Sequence, residues 1–131
     1  MYDYRKFYID GAWVSPIERR DLEVVNPATE RGVGMINLGS SADVDEAVKA
    51  ARAAFDSFSS TSREERIALL QRIIEVMQKH LPRLGEVISE EMGAPPGLAV
   101  QIQAGAGIGH FIAALSALQE TKAVFGHFAE R

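Results

Sequence analysis

The 131-residue chain has no cysteine, which excludes disulfides, thiolate metal sites and a thiol nucleophile among its own residues. It has no excess of positive charge either. Fourteen Lys and Arg stand against 18 Asp and Glu, a formal charge of -4, so nothing argues for nucleic acid or an anionic membrane surface as partner. Histidine is scarce: His80, His110 and His127 are far apart and show no ligand spacing, which makes a transition-metal site an unfavoured reading. The opening residues lack the apolar core of a signal peptide, and the cytoplasm is the simplest compartment to expect. What is present is ordinary. With 47% hydrophobic and 24% charged residues, the composition is that of a soluble globular protein of one domain.

Phe7-Tyr8-Ile9 and Ala12-Trp13-Val14 flank Asp10-Gly11, a two-residue loop that tolerates positive φ and matches strand twist, so a tight hairpin is predicted. Tyr2, Tyr4, Tyr8 and Trp13 are read as hairpin packing. Pro16 to Asp21 is turn-like. Leu22 to Val25 reads as a strand stopped by Asn26-Pro27, because proline disfavours helix before it and donates no ladder hydrogen bond. Gly32 to Leu38 resumes extended structure, pairing antiparallel with it. Gly32-Val33-Gly34 is read as strand or bulge glycine.

From Ser41 the apolar period becomes helical, with Val44, Ala47, Val48, Ala51, Ala54, Phe55 and Phe58 on one stripe that calls for burial. Ser40 and Ser41 offer N-caps, and Asp43, Asp45 and Glu46 suit the first turn. Thr61-Ser62-Arg63-Glu64 is read as a capping box that opens a second helix with Ile67, Leu70, Ile74, Met77 and Leu81 inward. Pro82 is expected to end it and start a third, closed by Gly93 and Pro95-Pro96.

Between Glu91 and Glu120 there is no Asp, Glu, Lys or Arg. Residues 98–118 are long enough for a membrane span. Gln101, Gln103, His110 and the glycines of Gly105-Ala106-Gly107-Ile108-Gly109 favour instead a helix buried in protein. A helix apolar on nearly all sides needs several neighbours, so this chain alone is expected to expose an apolar patch.

No active site emerges from the residues. Gly105-Ala106-Gly107-Ile108-Gly109-His110 lacks the last glycine of G-x-G-x-x-G and the strand before it, and small-residue helix packing is the better reading. His80 is read as lying near a helix C-terminus. Glu90 and Glu91 point a third of a turn apart and are read as solvated helix surface. No serine sits in a nucleophile elbow. Thus the fold class is α+β: two small N-terminal β-hairpins over 1–39, then about four α-helices over 40–131.

The order of the motifs is informative. Phe7-Tyr8-Ile9-Asp10-Gly11-Ala12-Trp13, Val24-Val25-Asn26-Pro27-Ala28-Thr29-Glu30, Ala42-Asp43-Val44-Asp45-Glu46-Ala47-Val48-Lys49-Ala50-Ala51-Arg52-Ala53-Ala54-Phe55, Arg63-Glu64-Glu65-Arg66 and Ile88-Ser89-Glu90-Glu91-Met92-Gly93-Ala94-Pro95 follow one another. Together they resemble the N-terminal segment of the NAD(P)-dependent aldehyde dehydrogenase superfamily, over nearly the whole chain. The resemblance implies that 1–131 is an incomplete, N-terminal part of a larger Rossmann-like α/β coenzyme-binding domain. The cysteine nucleophile, glutamate base and coenzyme strands are then expected downstream. NAD or NADP is the cofactor it implies for the whole enzyme; for this chain alone, neither coenzyme binding nor turnover is expected. It also implies a monovalent cation held by the carbonyls of Val24 and Val25 and the carboxylate of Glu91. The partners implied are the remainder of the enzyme or, in a non-enzymatic alternative, self-association into an oligomer through 98–118.

Overall fold

The structure, a computed structural model, describes residues 2–120. Two compact units divide the chain: residues up to Ser60 together with Ser89–Gly93, and Thr61–Ile88 together with the chain from Ala94.

In the first unit, β2 (Phe7–Ile9) and β3 (Ala12–Val14) pair antiparallel with Tyr8 opposite Trp13. Asp10 and Gly11 supply the expected positive φ, 51° and 76°. Asp tolerates this region as a single turn residue and Gly adopts it freely, so the hairpin closes without a larger loop. β4 (Asp21–Asn26) and β5 (Arg31–Asn37) also pair antiparallel, but they are not a separate hairpin. β1 (Tyr2–Tyr4) joins β5 in parallel and completes a three-stranded sheet of order β1-β5-β4. Tyr2 and Tyr4 therefore belong to this edge strand, their rings stacked 5.7 Å apart, and not to the β2–β3 hairpin. Gly34 makes the join possible, since a Cβ there would stand 3.3 Å from the Tyr2 carbonyl oxygen. The register slips at Val24/Val25, leaving Val33 as the extra residue of a bulge.

Helix α1 (Ser41–Ser59) starts from a reciprocal cap. Asp43 N donates to Ser40 Oγ (3.3 Å), while Ser40 N and Oγ donate to Asp43 Oδ2 at 2.8 and 2.7 Å. Ile17 N donates to Asp43 Oδ1 at 2.8 Å, so one buried carboxylate ties the segment before β4 to the helix start. The apolar stripe does not end up covered as expected. Val44, Val48, Phe55 and Phe58 are each more than half exposed, because the short strands here offer too little surface to cover a five-turn helix.

Helix α2 (Arg63–Met92) is one helix of 30 residues, in the second unit up to Ile88 and with its last turn in the first. The capping box sits one residue later than the sequence suggests: Glu65 N donates to Ser62 Oγ (3.1 Å) and Ser62 N to Glu65 Oε2 (2.7 Å). Thr61 is otherwise engaged, its hydroxyl accepting from Arg66 Nε at 2.9 Å. Pro82 lies inside α2 and does not end it. The missing N–H and the ring clash with the preceding turn cost about 3 kcal/mol, which a helix anchored at both ends absorbs. His80 is consequently mid-helix, not near a C-terminus.

The apolar run is not one regular helix. α3 (Pro96–Leu98) leads into a π-helical turn (Ala99–Ala104), marked by Gly105 N donating to the Val100 carbonyl five residues back, and then into α4 (Gly105–Glu120). Gly85 lets the turn approach α2, since a Cβ there would lie 2.8 Å from Val100 Cα. A Cβ on Gly107 would lie 3.4 Å from Met77 Cε, an ordinary contact distance, so this position does not itself require glycine. Arg63 donates from Nε to the Leu118 carbonyl (2.9 Å) and from its terminal nitrogen to that of Gln119, capping the end of α4. Ala99, Ala104, Ile74 and Ile108 are the buried apolar residues of this unit. Even so, only 17% of the most apolar 18-residue window of Pro96–Glu120 is buried among the described residues. Burial within this chain is therefore not what keeps its apolar residues from water.

Candidate functional site at the Asn-Pro turn

The one place where the first unit draws distant motifs together is the turn after β4. Asn26 Oδ1 accepts from Ala28 N (2.8 Å) and Thr29 N (3.2 Å), and the Asn26 carbonyl accepts from Glu30 N (2.8 Å). Pro27 contributes its fixed φ, and Glu30 takes the left-handed conformation at 56°. The end of α2 abuts this turn. Gly93 closes the helix with φ 69°, its N–H on the Ser89 carbonyl at 3.0 Å, and a Cβ on Gly93 would stand 2.9 Å from Pro27 Cγ. A side chain would therefore be opposed twice, by backbone conformation and by the proline ring.

Around this junction lie the three residues singled out in the sequence. Val24 and Val25 flank the register slip just before the turn, where ladder pairing is locally disrupted. Glu91 is exposed on the last turn of α2, two residues before Gly93. Its neighbour Glu90 is not the solvated residue expected. Glu90 is half-buried, and its Oε2 is fully buried with no hydrogen-bond partner among the described residues. No sequence pattern separates it from Glu91; only the packing of the helix end does. The available donors are thus all oxygens, backbone carbonyls and carboxylates, a set that fits a hard cation and not a transition metal. Among the described residues no three His, Cys, Asp or Glu side chains cluster as a metal site.

His80 and His110 are exposed on α2 and α4, and His127 lies outside the described residues. Ser40 and Asp43 are adjacent, but three hydrogen bonds, the largest effect coming from Ile17 N, hold the Asp43 carboxyl below its ordinary 3.8, and it serves as an acceptor for a helix cap. A second ionic cluster joins β1 to β4. Arg5 reaches Asp3 (2.6 Å) and Asp21 (3.2 Å), and Arg19 reaches Asp21 (2.7 Å). The Arg5 hydrogen bonds hold the Asp3 carboxyl down to about 2.

The model of the aldehyde dehydrogenase family matches residues 13–126. The 3-succinoylsemialdehyde-pyridine dehydrogenase of a Pseudomonas species is 50% identical over 121 residues, which are 92% of this chain and 25% of that protein. The crystal structure of an aldehyde dehydrogenase from Bartonella henselae superimposes with a TM-score of 0.90 at 38% identity, over 93% of this chain and 26% of that one. A mutant of aldehyde dehydrogenase C from Pseudomonas syringae, solved with NAD+ and octanal, gives 0.87 at 42% identity, over 90% and 24%. The chain spans about a quarter of the length of the curated relatives it matches. The family model over residues 13–126, the 50% identical relative and the superposition with solved members agree: this chain belongs to the aldehyde dehydrogenase family.

Proposed function

We propose that residues 1–131 act as the N-terminal scaffold of a cytoplasmic enzyme that oxidises aldehydes to carboxylic acids with NAD or NADP. The observation that carries this reading is the match of relatives over nine-tenths of this chain but a quarter of their own length. The chain holds no cysteine and no dinucleotide loop, so on this reading the nucleophile, the general base and the coenzyme site come from elsewhere in the enzyme. Two preparations test it. The purified chain alone should produce no reduced nicotinamide from aldehyde, whereas the same chain fused to the downstream three-quarters of the Pseudomonas relative should do so. A soluble, folded fusion without turnover would contradict the reading.

Within that scaffold, the carbonyls of Val24 and Val25 and the carboxylate of Glu91 bind a monovalent cation, with Glu90 as an adjacent buried carboxylate. Its role is structural, tying the Asn-Pro turn to the end of α2. Replacing sodium or potassium by a bulky organic cation should lower the thermal midpoint of the chain, and Glu91→Gln should remove that sensitivity. An unchanged midpoint in both experiments would count against the site.

A non-enzymatic association module is the second reading, favoured by the exposure of Leu98, Ile102 and Ile112 along the apolar segment. Pro96–Glu120 is also the one helical segment among the described residues long and apolar enough to cross a bilayer. Sedimentation separates these readings. Reversible self-association in the soluble fraction supports the module, while recovery only with membranes supports a span.

A further inference from the structure

A cleft of about 590 Å³ opens on the first unit between β1, the β2–β3 hairpin and the segment leading to β4, within the size range of small-molecule sites. Its wall combines aromatic surface with positive charge. Arg5, Lys6 and Arg19 face Asp3 and Asp21 there, three cations against two anions. Both carboxylates are already engaged by Arg5 and Arg19, and no described residue pairs with Lys6. Among the described residues the local excess is one positive charge, carried by the lysine.

The indole that lines the same cleft is exposed yet held. Trp13 is 65% exposed, its ring 5.3 Å from that of Tyr8, its register partner across the hairpin. Lys6, exposed just before β2, lines the same cleft as Trp13. A flat ring and an unpaired cation thus line one cleft. We propose that this cleft binds a small planar aromatic monocarboxylate, its ring stacked on Trp13 and its carboxylate on Lys6. A single negative charge balances the wall, and a dianion would meet Asp3 and Asp21 unfavourably.

Trp13 is the sole tryptophan of the chain and reports occupancy directly. Benzoate titrated into the full 131-residue chain should quench its fluorescence saturably, and more tightly than the neutral isostere benzamide. Lys6→Gln, an exposed substitution without consequence for folding, should weaken benzoate about threefold, the scale of an exposed ion pair, and leave benzamide unchanged. Linear quenching without saturation, equal affinity for the two ligands, or an unchanged benzoate affinity in Lys6→Gln would each overturn the proposal.

Discussion

Gly93 shows how much one residue carries here. Its φ of 69° disfavours any side chain, and the Pro27 ring occupies the space a Cβ would need. Gly93→Ala should therefore destabilise the chain by at least about 1–2 kcal/mol, the left-handed penalty alone, read as a lower urea midpoint with an unchanged slope. Asp43 is the second such residue. Its folded pKa is depressed below 3.8 by the hydrogen bonds from Ile17 and Ser40. The stability it contributes is therefore fully present above that value and is lost as pH falls through the folded pKa. Asp43→Asn should flatten the acid limb of the stability curve below about pH 4, measured by urea unfolding at stepped pH; an acid limb as steep as that of the unchanged chain would show that Asp43 is not the group responsible. The glycine was legible in the sequence as a cap, and its contact with Pro27 was not, because nothing local encodes which loop meets a helix end. Glu90 was misread for the same reason: adjacent glutamates look alike until packing buries one.

At the level of elements, local chemistry was legible and length was not. The Asp10-Gly11 turn, the stop at Asn26-Pro27 and the Ser40 cap all stand where turn and capping preferences put them. Strand β1 is not legible in the sequence because three residues carry no usable period, and its pairing partner is 32 residues away. Pro82 was misjudged because a proline's local penalty was weighed without the tertiary packing that holds both flanks. In particular, Gly85 follows within a turn and is buried against Val100. If α2 merely tolerates Pro82, Pro82→Ala should restore the missing hydrogen bond and raise stability by up to about 3 kcal/mol. A loss of stability on that substitution, seen by circular dichroism melting, would show instead that the ring shapes the helix for its contacts.

The whole molecule is marked by what it leaves uncovered. The periodicity of the α1 stripe and of the apolar segment from Leu98 calls for cover, yet both are more than half exposed at Val44, Val48, Phe55, Phe58 and Ile102. Hydrophobic periodicity states that a face prefers burial; it does not say whether the same 131 residues supply the partner. The curated relatives are about four times as long, and on the proposed reading the uncovered faces would meet the rest of such an enzyme, which would also supply the nucleophile. On this account the chain shapes and supports a catalytic apparatus that it does not itself contain. The most direct measurement is absorbance at the nicotinamide band while the purified chain is held with NAD+, NADP+ and an aldehyde. The account predicts a flat trace at every protein concentration, and a rise proportional to that concentration would contradict it.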